Sequence, residues 1–372
     1  MSNAKPFFRA DQVGSLLRPA RLLKAREQHA KGTLDAAGLR AIEDECIAEA
    51  VELQQSIGLP AVTDGEFRRE NWWIDFISRI GGVEIREGDA KTTAFVDRPE
   101  WHYVPKNVVT TRKLGHPEAI YGKDFAYLKS VAKNLAKMTI PSPTRMHFHG
   151  GRKHISRDAY PDMEQFFADV ARVYQEEIAA LEGLGCRYIQ IDDPLLTYFI
   201  SDKLRQEVRD NGEDPEERLS RYVKLVNDCI AKRRPDTAVG IHLCRGNSRS
   251  AWIAEGGYER IAEQAFGGLA VDHFLLEYDD ERSGDFEPLR FVPKGKKVVL
   301  GLVTTKNGKL ERSDDLKRRI DAAAKYVPLD DLALSPQCGF ASVVEGNIIG
   351  PDEQTKKLNL VVDTARSVWG HV

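Results

Sequence analysis

Tyr188-Ile189-Gln190-Ile191-Asp192-Asp193-Pro194 is the stretch on which the fold turns. A β-branched and aromatic run ends in an acidic pair, and the proline after it stops the strand from continuing. Upstream, Met163 to Leu184 carries apolar residues at helical spacing with charges on the opposite face, and downstream Pro215 to Arg233 does the same. A short strand between two amphipathic helices is the unit of a parallel sheet, because strands running the same way need a long crossover between them.

Working outward, further strand candidates lie at Ala61 to Asp64, Thr144 to His149, Val239 to Leu243, His273 to Tyr278, Lys297 to Val303 and Leu332 to Ser335, with an eighth near Phe7 to Val13. Tyr258 to Phe266 and Ser313 to Tyr326 read as additional crossover helices. Eight strands alternating with helices predict an α/β fold of the (β/α)8 or TIM-barrel type. No Gly-x-Gly-x-x-Gly follows the first strand, since Gly183-Leu184-Gly185 precedes a strand and does not open a helix. Walker-type phosphate loops, His-Glu-x-x-His and Gly-x-Ser-x-Gly are absent as well. No repeat or linker divides the 372 residues, so residues 1–372 are expected to form a single barrel domain, with an irregular polar insertion at Gly81 to Tyr121.

The charge balance of 54 basic against 57 acidic residues, spread along the chain, leaves no basic stripe for nucleic acid. No apolar stretch approaches the length of a membrane span and none resembles a signal peptide, so the expected location is the cytoplasm. Five widely spaced cysteines do not make a disulfide scaffold; reduced thiols or metal ligands are the expectation.

One strand candidate after another ends in a polar residue: Asp64 with Glu66, Asp192 with Asp193, His242 with Cys244, then Glu277 and Cys338. In a parallel barrel these ends share the rim on which active sites are built. In Ile241-His242-Leu243-Cys244, residues two apart project from one face and can chelate one ion. Ser335-Pro336-Gln337-Cys338-Gly339 offers a second thiolate at a strand end, and Glu277 completes four ligands. One nitrogen, one oxygen and two sulfurs suit zinc. Singly, each of these residues reads as an ordinary core thiol or paired charge; their common placement carries the inference. Cys46, Cys186 and Cys229, on or beside helices without polar company, read as core. Asp192 should point into the barrel mouth toward a substrate, whereas Asp193 reads equally as a helix cap. His147, His149 and His154 with Arg145 and Arg152 read first as a solvated loop, ahead of a site for an acidic tail.

These motifs, in this order from Val13 to about Phe340, resemble the cobalamin-independent methionine synthase family, in its C-terminal catalytic barrel. Val13-Gly14-Ser15 is similar to the segment at the amino-acid substrate, Asp64-Gly65-Glu66 to the loop whose glutamate meets it, and Ile189 to Pro194 to the family's Asp-Glu-Pro segment. His242, Cys244, Glu277 and Cys338 fall on the zinc-ligand positions. The resemblance implies a methyltransferase of methionine biosynthesis that takes homocysteine. Its amino group would lie near the catalytic-site residues Glu66 and Asp192, its carboxylate near Val13, Gly14 and Ser15, and its sulfur on zinc.

Three departures bear on the donor. The N-terminal barrel that holds a polyglutamylated folate in longer synthases is not matched within these 372 residues, so a different mode of donor binding is the expectation. Thr304-Thr305-Lys306-Asn307 replaces a loop carrying a proton-transfer histidine, and no pterin-stacking tryptophan stands near Phe148. Either a folate or a corrinoid protein thus remains a candidate methyl donor. Two alternatives keep the metal: transfer of another thiol, such as coenzyme M, to an epoxide, for which Arg18 or Arg68 would meet the sulfonate, or a non-catalytic metal-binding or corrinoid-delivery component.

Overall fold

Parallel neighbours require crossovers, and this chain supplies them in strict succession. The computed structural model describes residues 5–88, 93–98, 100–104 and 106–372. Within them the barrel strands are β1 (Ala61–Val62), β2 (Leu135–Pro141), β3 (Tyr188–Asp192), β4 (Ala238–Leu243), β5 (His273–Glu277), β6 (Lys297–Val303) and β7 (Leu332–Pro336). All pair in parallel, and each strand lies beside the next in sequence.

The eighth wall of the barrel is the extended N-terminal segment. Ala10 forms a parallel bridge with Leu334 of β7, where the Asp11 amide donates to the Leu334 carbonyl and the Leu334 amide to the Arg9 carbonyl, both at 2.9 Å. On its other side the Leu16 amide donates to the Gly65 carbonyl just beyond β1, at 3.0 Å. The strand expected near Phe7 to Val13 is therefore present as one bridge in an extended run.

Helices form where the sequence signals them. Asp162 accepts from the Glu164 amide to start Met163–Gly183, which buries Phe166, Val170, Tyr174 and Ile178 on one face. Asp214 accepts from the Glu216 and Glu217 amides ahead of Pro215–Ile230, with proline in the first turn, where no amide partner is needed. Glu259–Gly268 and Ser313–Ala323 follow β4 and β6 as expected. No helix among the described residues is long and apolar enough to cross a membrane. The polar stretch at 81–121 contains two small antiparallel sheets, Gly81–Arg86 with Asn107–Gly115 and Thr93–Ala94 with His102–Tyr103; residues 89–92, 99 and 105 lie outside the described residues.

One strand is displaced from its expected place. Thr144 to His149 does not form a strand: Pro143–Met146 is a 3-10 turn, and the strand is Leu135–Pro141. Lys137 breaks the apolar pattern of that strand, because its ammonium points into the barrel and not toward the helices. It donates to Asp11 Oδ1 at 2.9 Å and to the Gln12 carbonyl at 2.6 Å, while the Tyr188 hydroxyl meets Asp11 Oδ2 at 2.5 Å. Alternate residues of β3, Tyr188, Gln190 and Asp192, rise through the interior from this floor to the rim.

This buried pair yields a stability prediction. Lys137→Met strands the Asp11 carboxylate in the interior and should cost about 3–5 kcal/mol. The double variant Lys137→Met with Asp11→Asn should recover most of that loss, as read by urea denaturation. A single variant as stable as the parent would show that the pair does not hold the barrel floor.

Candidate active site

The C-terminal ends of β4 and β7 bring three soft ligands together. His242 lies on β4, Cys244 two residues on and just past the strand end, and Cys338 on the turn after β7. One ligand atom from each lies within 4.8 Å of the others, and all three side chains are buried. His242 Nδ1 faces the Leu275 carbonyl at 3.3 Å, whereas its Nε2 is buried with no hydrogen-bond partner. A hydrogen bond from Cys244 holds the Cys338 thiol well below its ordinary pKa, with His242 adding to the shift, and the same bond keeps the proton on Cys244. A buried imidazole nitrogen without a partner beside two buried cysteine sulfurs fits a soft divalent cation, with tetrahedral N and S donors.

Glu277, at the end of β5, is fully buried but is not brought into that trio. Its Oε2 accepts from the Arg245 amide at 2.6 Å, and its Oε1 meets Lys306 Nζ at 3.1 Å and the Arg282 guanidinium. Burial works against its charge, but Lys306, Arg282 and Arg245 prevail and hold the carboxyl well below the usual range. Asp279 joins the same group, 2.8 Å from Lys306 and 3.2 Å from Arg282.

A second cluster lies on the neighbouring strands of the same rim, with Asp192 paired in register with His242. Glu66 adopts φ 60° on the turn after β1, where Asp64 Oδ1 accepts its amide at 2.9 Å. Its Oε1 accepts from Thr139 Oγ1 at 2.7 Å and lies 3.5 Å from Arg69. Gln190 connects two of the expected elements, donating to the Val13 carbonyl at 2.6 Å and to Asp192 Oδ1 at 2.7 Å. Gly14 has φ 146°, and a Cβ there would stand 2.7 Å from Thr139 Cγ2 and 3.1 Å from Glu66 Oε1. Only glycine lets the backbone approach so closely. Ser15 Oγ accepts from the Ala341 amide at 3.3 Å and would be 2.0 Å from a Cβ on Gly339, which ties this segment to the Cys338 turn.

Burial, and then the neighbouring Glu66 carboxylate, push Asp192 up to about 7. Asp193 serves as the cap: its carboxylate accepts from the Leu196 amide at 3.0 Å and from Ser142 and Thr144. The histidine cluster divides. Arg145 and His147 are buried, with the Arg145 guanidinium 3.8 Å over the Trp73 ring, while His149 is exposed and Arg152 and His154 are partly so. Cys46, Cys186 and Cys229 are buried free thiols, as expected of core residues.

Gln190, Thr139, Arg69, Lys306 and Arg282 join the site although the sequence reading gave them no role. Gln190 was within reach, since it shares the face of Asp192 two residues on. Thr139 was hidden by the misplaced strand, and Lys306 and Arg282 lie on loops without periodic signal.

Fold and rim together describe an α/β-barrel enzyme that works at the carboxyl ends of its strands. Comparison with known proteins makes the class specific: the chain belongs to the family described as cobalamin-independent synthase, catalytic domain, which it matches over residues 8–367, a family of methyltransferases. YxjH of Bacillus subtilis, described as uncharacterised, is 44% identical over 97% of this chain and 95% of its own. A putative vitamin-B12-independent methionine synthase of Listeria monocytogenes is 37% identical, with a TM-score of 0.79 over 99% of both chains. A B12-independent methionine synthase of Shewanella sp. W3-18-1, solved in complex with selenomethionine, shares the fold at 20% identity and TM-score 0.73 over 98% of both.

The trio is testable without any substrate. Cobalt(II) added to metal-free protein should give thiolate-to-metal charge-transfer absorption that Cys244→Ser and Cys338→Ser each diminish and that Cys186→Ser and Cys229→Ser leave intact. An unchanged band in either of the first two variants would remove that residue from the ligand set.

Proposed function

We propose that this protein is a zinc-dependent methyltransferase that converts homocysteine to methionine. The observation that carries the reading is a buried His242, Cys244 and Cys338 trio at the same barrel rim as a buried pair of carboxylates, Glu66 and Asp192, with Asp192 beside His242 on the neighbouring strand. The two clusters suit the two ends of a small amino-acid thiol. His242, Cys244 and Cys338 would hold zinc, with Glu277 as its fourth and most easily displaced ligand, a carboxylate oxygen being the least thiophilic of the four. When bound, zinc supplies a means of keeping the substrate sulfur deprotonated near neutral pH, where a free thiol with a pKa of about 8.5 is mostly protonated.

The chain's own residues do the rest. Glu66 and Asp192 are two buried carboxylates, with Arg69 as a partial counter-ion, and a substrate ammonium would offset the burial and the neighbouring charge that lift Asp192. Thr139 and Gln190 fix the orientation of those carboxylates. The close-packed Gly14 and Ser15 backbone, next to Val13, would receive the substrate carboxylate. The enclosing barrel excludes water from the reacting sulfur. A methylated folate or a methylated corrinoid protein would supply the methyl group, and direct assay with each decides between them. The selenomethionine complex of the Shewanella relative supports an amino-acid ligand of this kind.

A sulfonate thiol such as coenzyme M is less well served. Arg18 is buried and donates to the carbonyls of Ala341, Val343, Glu66 and Arg69, and Arg68 is engaged with Glu43, Asp44 and Asp124. Both guanidinium groups are thus already largely engaged within the protein.

Zinc-edge X-ray absorption with and without homocysteine tests the reading. The expected result is a gain of one sulfur neighbour and the loss of one oxygen; an unchanged zinc environment would sink it. Asp192→Asn should keep zinc in place while weakening homocysteine binding roughly 10- to 100-fold, the loss of a charged hydrogen bond.

A further inference from the structure

Glu277 has a complete set of partners that includes no metal. Its Oε1 carries contacts to two cations, Lys306 at 3.1 Å and Arg282, and its Oε2 accepts the Arg245 amide at 2.6 Å. Asp279, also buried, meets the same two cations at 2.8 and 3.2 Å. Glu277 and Asp279 thus share the cations Lys306 and Arg282, while Asp280 at the surface meets Arg282 from outside at 3.1 Å. The cations come from different loops, Arg282 after β5 and Lys306 after β6, and the Trp252 ring covers both, 4.5 Å from the Arg282 guanidinium and 5.9 Å from Lys306 Nζ. A side chain serving only as a metal ligand would not need two buried counter-ions on one oxygen, because each costs desolvation of its own.

We propose that Lys306 and Arg282 are positioning residues: a cationic clamp that receives the Glu277 carboxylate when the substrate thiol takes its place on zinc. The inference rests on the ligand set proposed above. The carboxylate has two satisfied positions, one on the metal and one in the clamp, so that moving between them leaves no buried charge unpaired. Thiol binding then requires only a local side-chain motion, and the clamp sets how readily the fourth position opens. Thr304 to Asn307 carries no histidine, and Lys306 of that loop pairs with Glu277 and Asp279.

The test is a double-mutant cycle on metal affinity and thiol affinity. Lys306→Met keeps the length of the side chain and removes its charge. Without the clamp, Glu277 should bind zinc more firmly: zinc affinity, measured by chelator competition, should rise about tenfold, the size of effect that partners of metal ligands produce. Homocysteine affinity should fall by a similar factor, and the oxygen neighbour should persist in the X-ray absorption spectrum after homocysteine is added. Lys306→Arg should restore parental behaviour.

In a Glu277→Gln background, Lys306→Met should change zinc affinity less than twofold, because the partner charge is gone; a merely structural lysine would act equally in both backgrounds. The clamp is overturned if Lys306→Met leaves zinc affinity unchanged or lowers it, or if its effect persists beside Glu277→Gln. Should homocysteine add no sulfur to the parental zinc, the methyl-transfer reading fails, while the zinc affinities of the four proteins still judge the clamp.

Discussion

Closure of the ring by residues 9–16 is the constraint on which the site depends. Seven parallel strands leave a gap, and an extended segment fills it by bonding to Leu334 on one side and Gly65 on the other. Because that segment is fixed, Val13 accepts from Gln190, Gly14 packs against Thr139, and Ser15 anchors the turn that carries Cys338. The first residues of the chain thus align a carboxylate on β3 with a thiol after β7. A flexible N-terminus at this position would loosen both clusters together.

Buried charge is the second organising element, and it is handled differently at each level of the barrel. On the floor, Lys137 and Asp11 neutralise each other directly. At the cluster of Glu66 and Asp192, Arg69 compensates only in part, and burial followed by the Glu66 charge raises Asp192. Around Glu277 two cations, Lys306 and Arg282, pair with the carboxylate directly. Of the two carboxylate groups at the rim, the one at Glu66 and Asp192 has the weaker cationic compensation, which is where a cationic group on a substrate would be recognised.

The sequence made the barrel legible because helical and strand periods alternate cleanly from Ala61 onward, and the rim residues were legible because each ends a strand. His242, Cys244 and Cys338 needed only that rule. Lys137 shows where periodicity stops working: a lysine inside a strand reads as a surface residue, and only its distant partner Asp11 reveals that it faces inward. Glu66 was marked by its strand end, but its αL conformation and its bond to Thr139 depend on β2 lying where it does. Lys306 and Arg282 lie far apart in sequence from most of what they touch, on loops whose course no local pattern sets.

A metal site rich in thiolate is a compromise between holding the ion and leaving the substrate sulfur reactive. Two cysteine thiolates and a carboxylate around a divalent cation leave a net negative charge, which keeps a bound sulfur electron-rich but also resists the arrival of another anion. Removing the carboxylate as the thiolate arrives keeps that charge constant. A site at this rim therefore needs somewhere for the departing carboxylate to go, and in a water-poor barrel that place must be built from cations already present. Under the proposed ligand set, Lys306 and Arg282, held by Asp279 beneath Trp252, would be that place.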